Sequence, residues 1–233
     1  MNAYLPALVA PHARRLNLDP NAALAVAQVE AGPYGAIIEG VPVMRLELHV
    51  LWKEWPDDAK GVLDAWSQVD GPKPWQGHRV RIPIDNVPPG AKTTTHAAPT
   101  AQTWMVMHEG GLQVAQATER AAFGHLRMLG EVAGARGSRE ALYRSASWGM
   151  FQILGKNHLA AGFGTAEAMC EVFGTLEGQV RGFFNFIEST PGALDALRQL
   201  NWREFARIYN GPGNVNDYAP KMANAYITLE NAA

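Results

Sequence analysis

The sequence predicts a mainly α fold with a small β element, and three observations carry that expectation. Apolar residues recur at helical spacing along most of the chain, the pattern of helices with one face toward a core. Short apolar runs with turn residues interrupt this pattern only around residues 37–55 and 145–153. At 47% apolar and 18% charged residues over 233 positions, the chain has material for a sizeable core and too little charge for wholesale disorder, so one compact domain over 1–233 is expected.

Taken in order, Asp19 to Ala31 reads as a helix. Asp19 can cap it, Pro20 suits its first position, and Ala22, Ala25, Val26 and Val29 form an apolar stripe, with Gly32 and Pro33 as the stop. Ile37 to Trp55 combines a turn at Gly40 with the apolar run Val41 to Leu51, which fits either a strand pair or a strand followed by a helix. Between Asp70 and Thr103 lie Pro72, Pro74, Pro83, Pro88, Pro89 and Pro99 together with Thr93 to Thr95. Regular helix is not expected there, and the stretch reads as an extended, structureless surface excursion, either a flap over a site or an insertion.

Helical spacing returns over Val114 to Ala135 and, after a Gly134 to Ser138 break, in a short helix leading to Ser145–Ile153. Further helices are expected over Thr165–Gly174, Glu177–Ser189 and Leu194–Leu200. Asn201 can cap a helix carrying Trp202, Phe205, Ala206 and Tyr209 that stops at Asn210-Gly211-Pro212-Gly213, and Pro220 to Glu230 closes the chain.

Several classes of function fall away on composition. Twenty basic and 22 acidic side chains give a net charge of -2, so the electropositive footprint of a nucleic-acid binder is missing. The single cysteine, Cys170, excludes an internal disulfide, and its neighbours Ala168, Met169, Val172 and Phe173 suggest a buried thiol. Met1 to Val9 lacks a basic leader, and no run approaches the ~18 apolar residues of a membrane span. A chain held in the cytoplasm with no stable membrane insertion is therefore expected. The seven histidines are scattered, and His108-Glu109 is not followed by the second histidine of a zinc-binding helix, so no metal is expected. Nucleophile elbows and phosphate-cradling glycine loops are also missing.

Two carboxylates remain as candidates. Glu30 borders the apolar stripe in the last turn before Gly32. The negative end of the helix macrodipole and partial burial both disfavour its charged form there, as a general acid requires. Glu47 interrupts the run Val43, Met44, Leu46, Leu48, Val50, Leu51, with Arg45 and His49 as its polar company; it is either exposed by alternation or turned into a cleft. Water-mediated cleavage of a glycoside needs two carboxyl groups, one to protonate the leaving oxygen and one to activate water or stabilise the transition state. Glu30 and Glu47 are the best such pair, with Glu39 and Asp57 next in line.

Three segments together resemble the phage N-acetylmuramidase family, a lysozyme-superfamily group of endolysins. Ala25-Val26-Ala27-Gln28-Val29-Glu30-Ala31-Gly32 is similar to the family's Val-Glu-Ser-Gly ending, with Ala31 in place of serine. Arg45-Leu46-Glu47-Leu48-His49 is similar to its Phe-Glu-X-His stretch, with Leu46 in place of phenylalanine. Ser147-Trp148-Gly149-Met150-Phe151-Gln152-Ile153 resembles the Ser-Trp-Gly-X-Phe-Gln-Ile signature. Tyr209-Asn210-Gly211-Pro212 looks like the family's Tyr-Asn-Gly-Pro turn, which lytic transglycosylases share in related form.

The resemblance implies an α+β lysozyme-like fold, a helical bundle around a substrate cleft, in which Glu30 is the acid and Glu47 the second carboxylate. It implies cleavage of the β-1,4 bond between N-acetylmuramic acid and N-acetylglucosamine in peptidoglycan, with no cofactor and with a monomer expected. Ser147, Gly149 and Gln152 then line the sugar cleft, and Tyr209 and Asn210 stand near the acid. Locally, Gly149 lets backbone approach a ligand, and strand alternation buries Phe151 and Ile153 while turning Gln152 toward the groove. Endolysins of this kind leave the host cytoplasm through a holin lesion and act on the cell wall. Two other readings stay open: a lytic transglycosylase forming anhydromuropeptides, and a catalytically inactive glycan-binding virion module in which Trp52, Trp55, Trp66, Trp75 and Trp104 stack on sugars.

Overall fold

The computed structural model describes residues 4–31, 36–69, 78–94 and 102–232. Along the chain run α1 (Leu5–Arg15), α2 (Pro20–Ala31), β1 (Ile37–Ile38), β2 (Val41–Pro42), β3 (Met44–Leu46), α3 (Leu48–Glu54), α4 (Lys60–Trp66), β4 (Ser67–Val69), β5 (His78–Pro83), β6 (Thr93–Thr94) and β7 (Gln102–Val106). They continue as α5 (Leu112–Val132), α6 (Ser138–Arg144), β8 (Ala146–Trp148), β9 (Ile153–Leu154), α7 (Ala166–Val172), α8 (Leu176–Ser189), α9 (Ala193–Arg198), α10 (Trp202–Tyr209) and α11 (Val215–Glu230). The mainly α expectation holds, with small sheets attached. No helix among the described residues is long and apolar enough to cross a membrane.

Contacts divide the chain into two compact units, one made of the described residues up to Val43, Trp148–Ile153 and those from Asn157 onward, the other of Met44–Ser147 and Leu154–Lys156. In the first unit α2 is a central helix packed by α1, α9 and α11. A single apolar stripe underestimates it: Ala22 to Ala27 are all buried. Alanine is small enough for helices to close in on every side, so periodicity disappears where burial is complete. Asp19 accepts a hydrogen bond from the Asn21 N–H at 2.8 Å and another from the Tyr226 hydroxyl at 2.6 Å, tying the start of α2 to α11. Around these helices Phe151 stacks on Phe183 at 4.1 Å between ring centroids, and Phe173, Phe184 and Phe205 are fully buried.

In the second unit α5 is the organising helix. Among its buried residues, Gln116, Glu119, Ala122, Leu126 and Gly130 follow one another at intervals of three or four, and it packs on α4, α6, β3 and β5. Two of these are polar and take the place of a strand beside β3. The Gln116 amide both accepts from the Met44 N–H and donates to the Met44 carbonyl, each at 2.8 Å, and a Glu119 carboxylate oxygen accepts from the Leu46 N–H at 2.8 Å. The four-stranded sheet has the order β4-β5-β7-β6, antiparallel throughout, with Val80 opposite both Ser67 and Met105.

That sheet corrects the reading of residues 70–103 as structureless. β5 runs through the stretch with His78, Val80 and Ile82 buried in strict alternation, and Pro83 falls at the strand's last position, where a missing N–H costs little. The prolines at 88 and 89 lie in the connection between strands. Positions 70–77 and 95–101, and the predicted stop at Gly32-Pro33, are outside the described residues.

Both open readings of Ile37–Trp55 are realised in series. β1 and β2 pair through a two-residue turn in which Glu39 and Gly40 both have positive φ, the geometry a tight hairpin requires; β3 and α3 follow. Two helices, α1 and α4, escaped prediction, and α11, expected from Pro220, starts earlier than expected. α1 carries Pro6 and Pro11, which read as helix breakers, yet Leu5, Val9 and Ala13 form a buried face at four-residue spacing. α11 begins at Val215, with Pro220 inside it rather than at its start.

Candidate active site

Glu30 stands in the last turn of α2, half-buried, with no basic side chain in that turn. Asn210, the residue that ends α10, donates its amide Nδ2 to Glu30 Oε1 at 2.6 Å. Asn210 is itself fixed, since its backbone carbonyl accepts from the Asn214 side chain at 2.7 Å. Its Oδ1 is buried and has no hydrogen-bond partner among the described residues, so the same amide that holds the carboxyl can accept a hydrogen from a ligand. Asn201 caps α10 at its other end by accepting from the Glu204 N–H at 3.2 Å, which places Tyr209 and Asn210 at a defined point of the last turn.

Tyr209 serves the signature segment. Its hydroxyl donates to the Phe151 carbonyl at 2.6 Å and its ring stacks on Phe205. Burial, with the nearby charge of Glu30 added to it, pushes the hydroxyl well above the usual tyrosine range, so it remains a donor at any working pH. Tyr209→Phe is expected to lower stability by about 1–2 kcal/mol, because the Phe151 carbonyl loses its partner. Chemical denaturation measures this, and an unchanged midpoint would remove the anchor role.

The segment Gly149–Gln152 is a turn between β8 and β9, which corrects the strand reading. Gln152 N–H bonds back to the Gly149 carbonyl at 3.1 Å, and Gln152 has a φ of +47°. Phe151 and Ile153 are buried as expected, but the Gln152 side chain folds onto its own turn, Nε2 donating to the Gly149 carbonyl at 2.8 Å. A non-glycine residue held in the left-handed region is strained, and such strain collects at functional loops. Gly149 has a φ of +72°, and a Cβ there would lie 2.6 Å from the Gln179 side-chain oxygen. The close approach it permits is to Gln179, whose fully buried amide accepts from the Met150 N–H at 2.7 Å and donates to the Phe173 and Ala36 carbonyls.

In the second unit Glu47 occupies the junction between β3 and α3, its carbonyl accepting from the N–H groups of Val50 and Leu51. Its side chain, 17% exposed, lies 3.2 Å from Arg45 Nε and 3.6 Å from His49 Nδ1. Burial holds His49 below the ordinary histidine range, Glu47 opposing this while Lys53, Arg45 and Lys156 reinforce it. Each unit therefore presents one partly buried carboxyl group held by defined neighbours: Glu30 by an amide, Glu47 between a guanidinium and an imidazole.

The N-acetylmuramidase profile matches residues 19–230. The chain belongs to the N-acetylmuramidase family. This places the chain among the peptidoglycan hydrolases, within the glycoside hydrolases. A solved structure described as the crystal structure of Burkholderia AP3 phage endolysin is similar in fold, with a TM-score of 0.60 and 23% identity over 97% of this chain and 70% of that one. No curated protein matches the muramidase sequence.

The remaining sequence candidates are dispersed. Ser147 is half-buried in the middle of β8. Trp55 is buried, its indole N–H donating to the Ala59 carbonyl, and Trp66 is engaged by Arg81 and by His125. Trp52 and Trp104 are half-buried, and Trp75 is outside the described residues. Of the reserve carboxylates, Asp57 is exposed with its pKa held down by a hydrogen bond from Lys60, and Glu39 sits in the β1–β2 turn. Cys170 is half-buried, and burial pushes its thiol up to about 12, which leaves it unreactive. Sequence reasoning missed Gln179 and Glu119. The signal for Glu119 was present: it falls in register with Gln116, Phe123 and Leu126 on the buried face of α5.

Proposed function

We propose that this muramidase hydrolyses the β-1,4 bond between N-acetylmuramic acid and N-acetylglucosamine in bacterial peptidoglycan, with Glu30 as general acid and Glu47 as the second carboxylate. The observation that carries the reading is the Asn210–Glu30 hydrogen bond at the end of α2, in a chain of this family. Asn210 fixes Oε1 as an acceptor, so the proton resides on Oε2. The macrodipole of α2 favours the neutral acid at that end of the helix. Proton transfer from Oε2 to the glycosidic oxygen converts the leaving sugar into an alcohol. The buried Oδ1 of Asn210 suits a sugar hydroxyl or acetamido N–H, and the turn Gly149–Gln152, with Ser147 before it, supplies further polar contacts.

Glu47, between Arg45 and His49, activates water or stabilises the oxocarbenium-like transition state. The biological setting we propose is phage lysis, with release of the chain from the host cytoplasm through a holin-type lesion, action on the wall, and a monomer as the working form. No cofactor enters this chemistry.

Product analysis tests the reading. Digested sacculi are expected to yield muropeptides with reducing ends, detected by mass spectrometry. Anhydromuropeptides as the main product would replace the hydrolase by a transglycosylase, which needs a single acid/base. Glu47→Ala is expected to reduce turnover by about 10²-fold or more while the fold is retained. Near-normal turnover in that variant would move the second carboxylate elsewhere.

A further inference from the structure

The helix that delivers Asn210 to Glu30 carries a second feature on the same face. Arg203 and Arg207 lie in α10 and Asn210 ends it, so the three are spaced four and then three positions apart and form one stripe along the helix. At about 1.5 Å of rise per residue, the two arginines leave the helix about 10 Å and about 5 Å before the amide that holds Glu30. Beside this stripe lies an open groove of about 390 Å³. Its α10 side is made by Arg203, Glu204 and Arg207, and its other side by Pro212, Val215 and Asn216 at the start of α11. That volume is in the range of small-ligand sites, ~300–1,000 Å³, and admits a few residues of an extended chain.

The groove has one more guanidinium than carboxylate. Arg207 is braced by Glu204, to which Nε donates at 2.8 Å and a terminal nitrogen at 2.6 Å, and the guanidinium keeps further N–H groups for another acceptor. Arg203 donates to a neutral partner, Asn216 Oδ1, at 3.3 Å. The next acidic residue, Asp217, is taken up by Lys221 at 2.8 Å. A braced guanidinium beside one held by a neutral amide suits a carboxylate, which planar N–H forks bind better than they bind a hydroxyl. In peptidoglycan the carboxylates belong to the peptides that branch from the muramic acid residues. A peptide spans up to about 3.5 Å per residue, so one branching from a sugar at Glu30 passes both arginines within about three residues.

We infer that the groove beside α10 is a binding site for the carboxylate-bearing peptide of peptidoglycan, with Arg203 and Arg207 as its recognition residues. The inference rests on the reading of peptidoglycan as the substrate and of Glu30 as the acid. It makes α10 serve two parts of one substrate: its end holds the acid, and its exposed face selects strands that still carry peptide. The test compares intact sacculi with glycan chains stripped of peptide by an amidase, using wild type and Arg203→Gln. Arg203 is exposed, so its replacement leaves the core untouched. The peptide released by the amidase is also titrated alone into each protein and followed by arginine side-chain signals in NMR spectra.

For Arg203→Gln the expected result is a KM on sacculi raised by about three- to fivefold, the scale of one exposed charge-assisted contact, with kcat unchanged and with no change on stripped chains. The free peptide is expected to shift the Arg203 and Arg207 signals of the wild type and to leave Arg207 unmoved in the variant. Arg127→Gln, which removes the same charge from α5 in the second unit, is expected to leave both KM values as they are. An equal rise on stripped chains would give the groove to the glycan and overturn the peptide assignment. An unchanged KM on sacculi would overturn it as well, and an equal effect of Arg127→Gln would reduce it to loose attraction between charges. Absence of wild-type turnover on both substrates would instead sink the hydrolase reading, and the peptide titration would still decide the groove.

Discussion

Glu30→Gln is expected to remove turnover almost completely, by about 10²–10⁴-fold, while the protein stays folded. The amide has the shape of the acid, and its carbonyl oxygen can still accept from Asn210 Nδ2, which now donates at 2.6 Å to Oε1. What the amide lacks is a proton to give. The sign of the accompanying stability change separates this explanation from structural damage. A carboxylate in the last turn of a helix faces the negative end of the macrodipole, and α2 has no basic residue in that turn to offset it. A protonated carboxyl and an amide are both neutral there, so the substitution is expected to leave stability unchanged, and to raise it by about 0.3–1 kcal/mol only at a pH where the carboxyl is ionised. Loss of sacculus clearing with an unchanged or raised melting temperature is the expected pair of results. Clearing above a tenth of the wild-type rate would assign proton donation to another residue.

The fold was legible wherever amphipathic spacing survives. α5 and α8 show their buried faces directly in the sequence, and Asn201 marks the start of α10 because a capping residue solves a backbone problem that no tertiary contact alters. Legibility fails in two opposite situations. In α2 the apolar signal saturates, since Ala22 to Ala27 are buried on all sides and the helix has no polar face to define a stripe. In 78–106 the proline and threonine content hides the alternation of His78, Val80 and Ile82, which becomes meaningful only once β7 lies alongside.

The site divides in the same way. Glu30, Asn210 and Tyr209 carry recognisable local sequence, and the structure joins Asn210 to Glu30 and Tyr209 to the signature segment. The partners that hold these elements are remote and ordinary in composition. Gln179 lies 29 positions from Met150, and Glu119 lies 73 positions from Leu46. A buried polar side chain that serves backbone groups has no sequence motif, because only the three-dimensional path of the main chain says which N–H or carbonyl needs a partner.

Gln179→Leu is expected to be among the most destabilising single substitutions in the first unit, at about 3 kcal/mol or more. The volume is nearly conserved, so packing is not the cause. Three backbone groups lose their partner: the Met150 N–H at 2.7 Å, the Phe173 carbonyl at 2.6 Å and the Ala36 carbonyl at 3.2 Å. The Gln179 position has no solvent exposure, so water cannot replace these bonds without opening the core, and each unmet group costs about 1–3 kcal/mol. Gln179→Glu discriminates between lost volume and lost donors. A carboxylate still accepts from Met150 but faces two carbonyl oxygens with nothing to donate, so it is expected to be at least as damaging as leucine. The damage also has a location. With Met150 released, the turn that carries Phe151 and Gln152 loses its inner anchor, and the Gln152 amide, now bonded to the Gly149 carbonyl, should exchange its hydrogen faster than the amides of α11. Equal protection in the two places, or a leucine variant as stable as the wild type, would show that the turn holds itself and that Gln179 fills space.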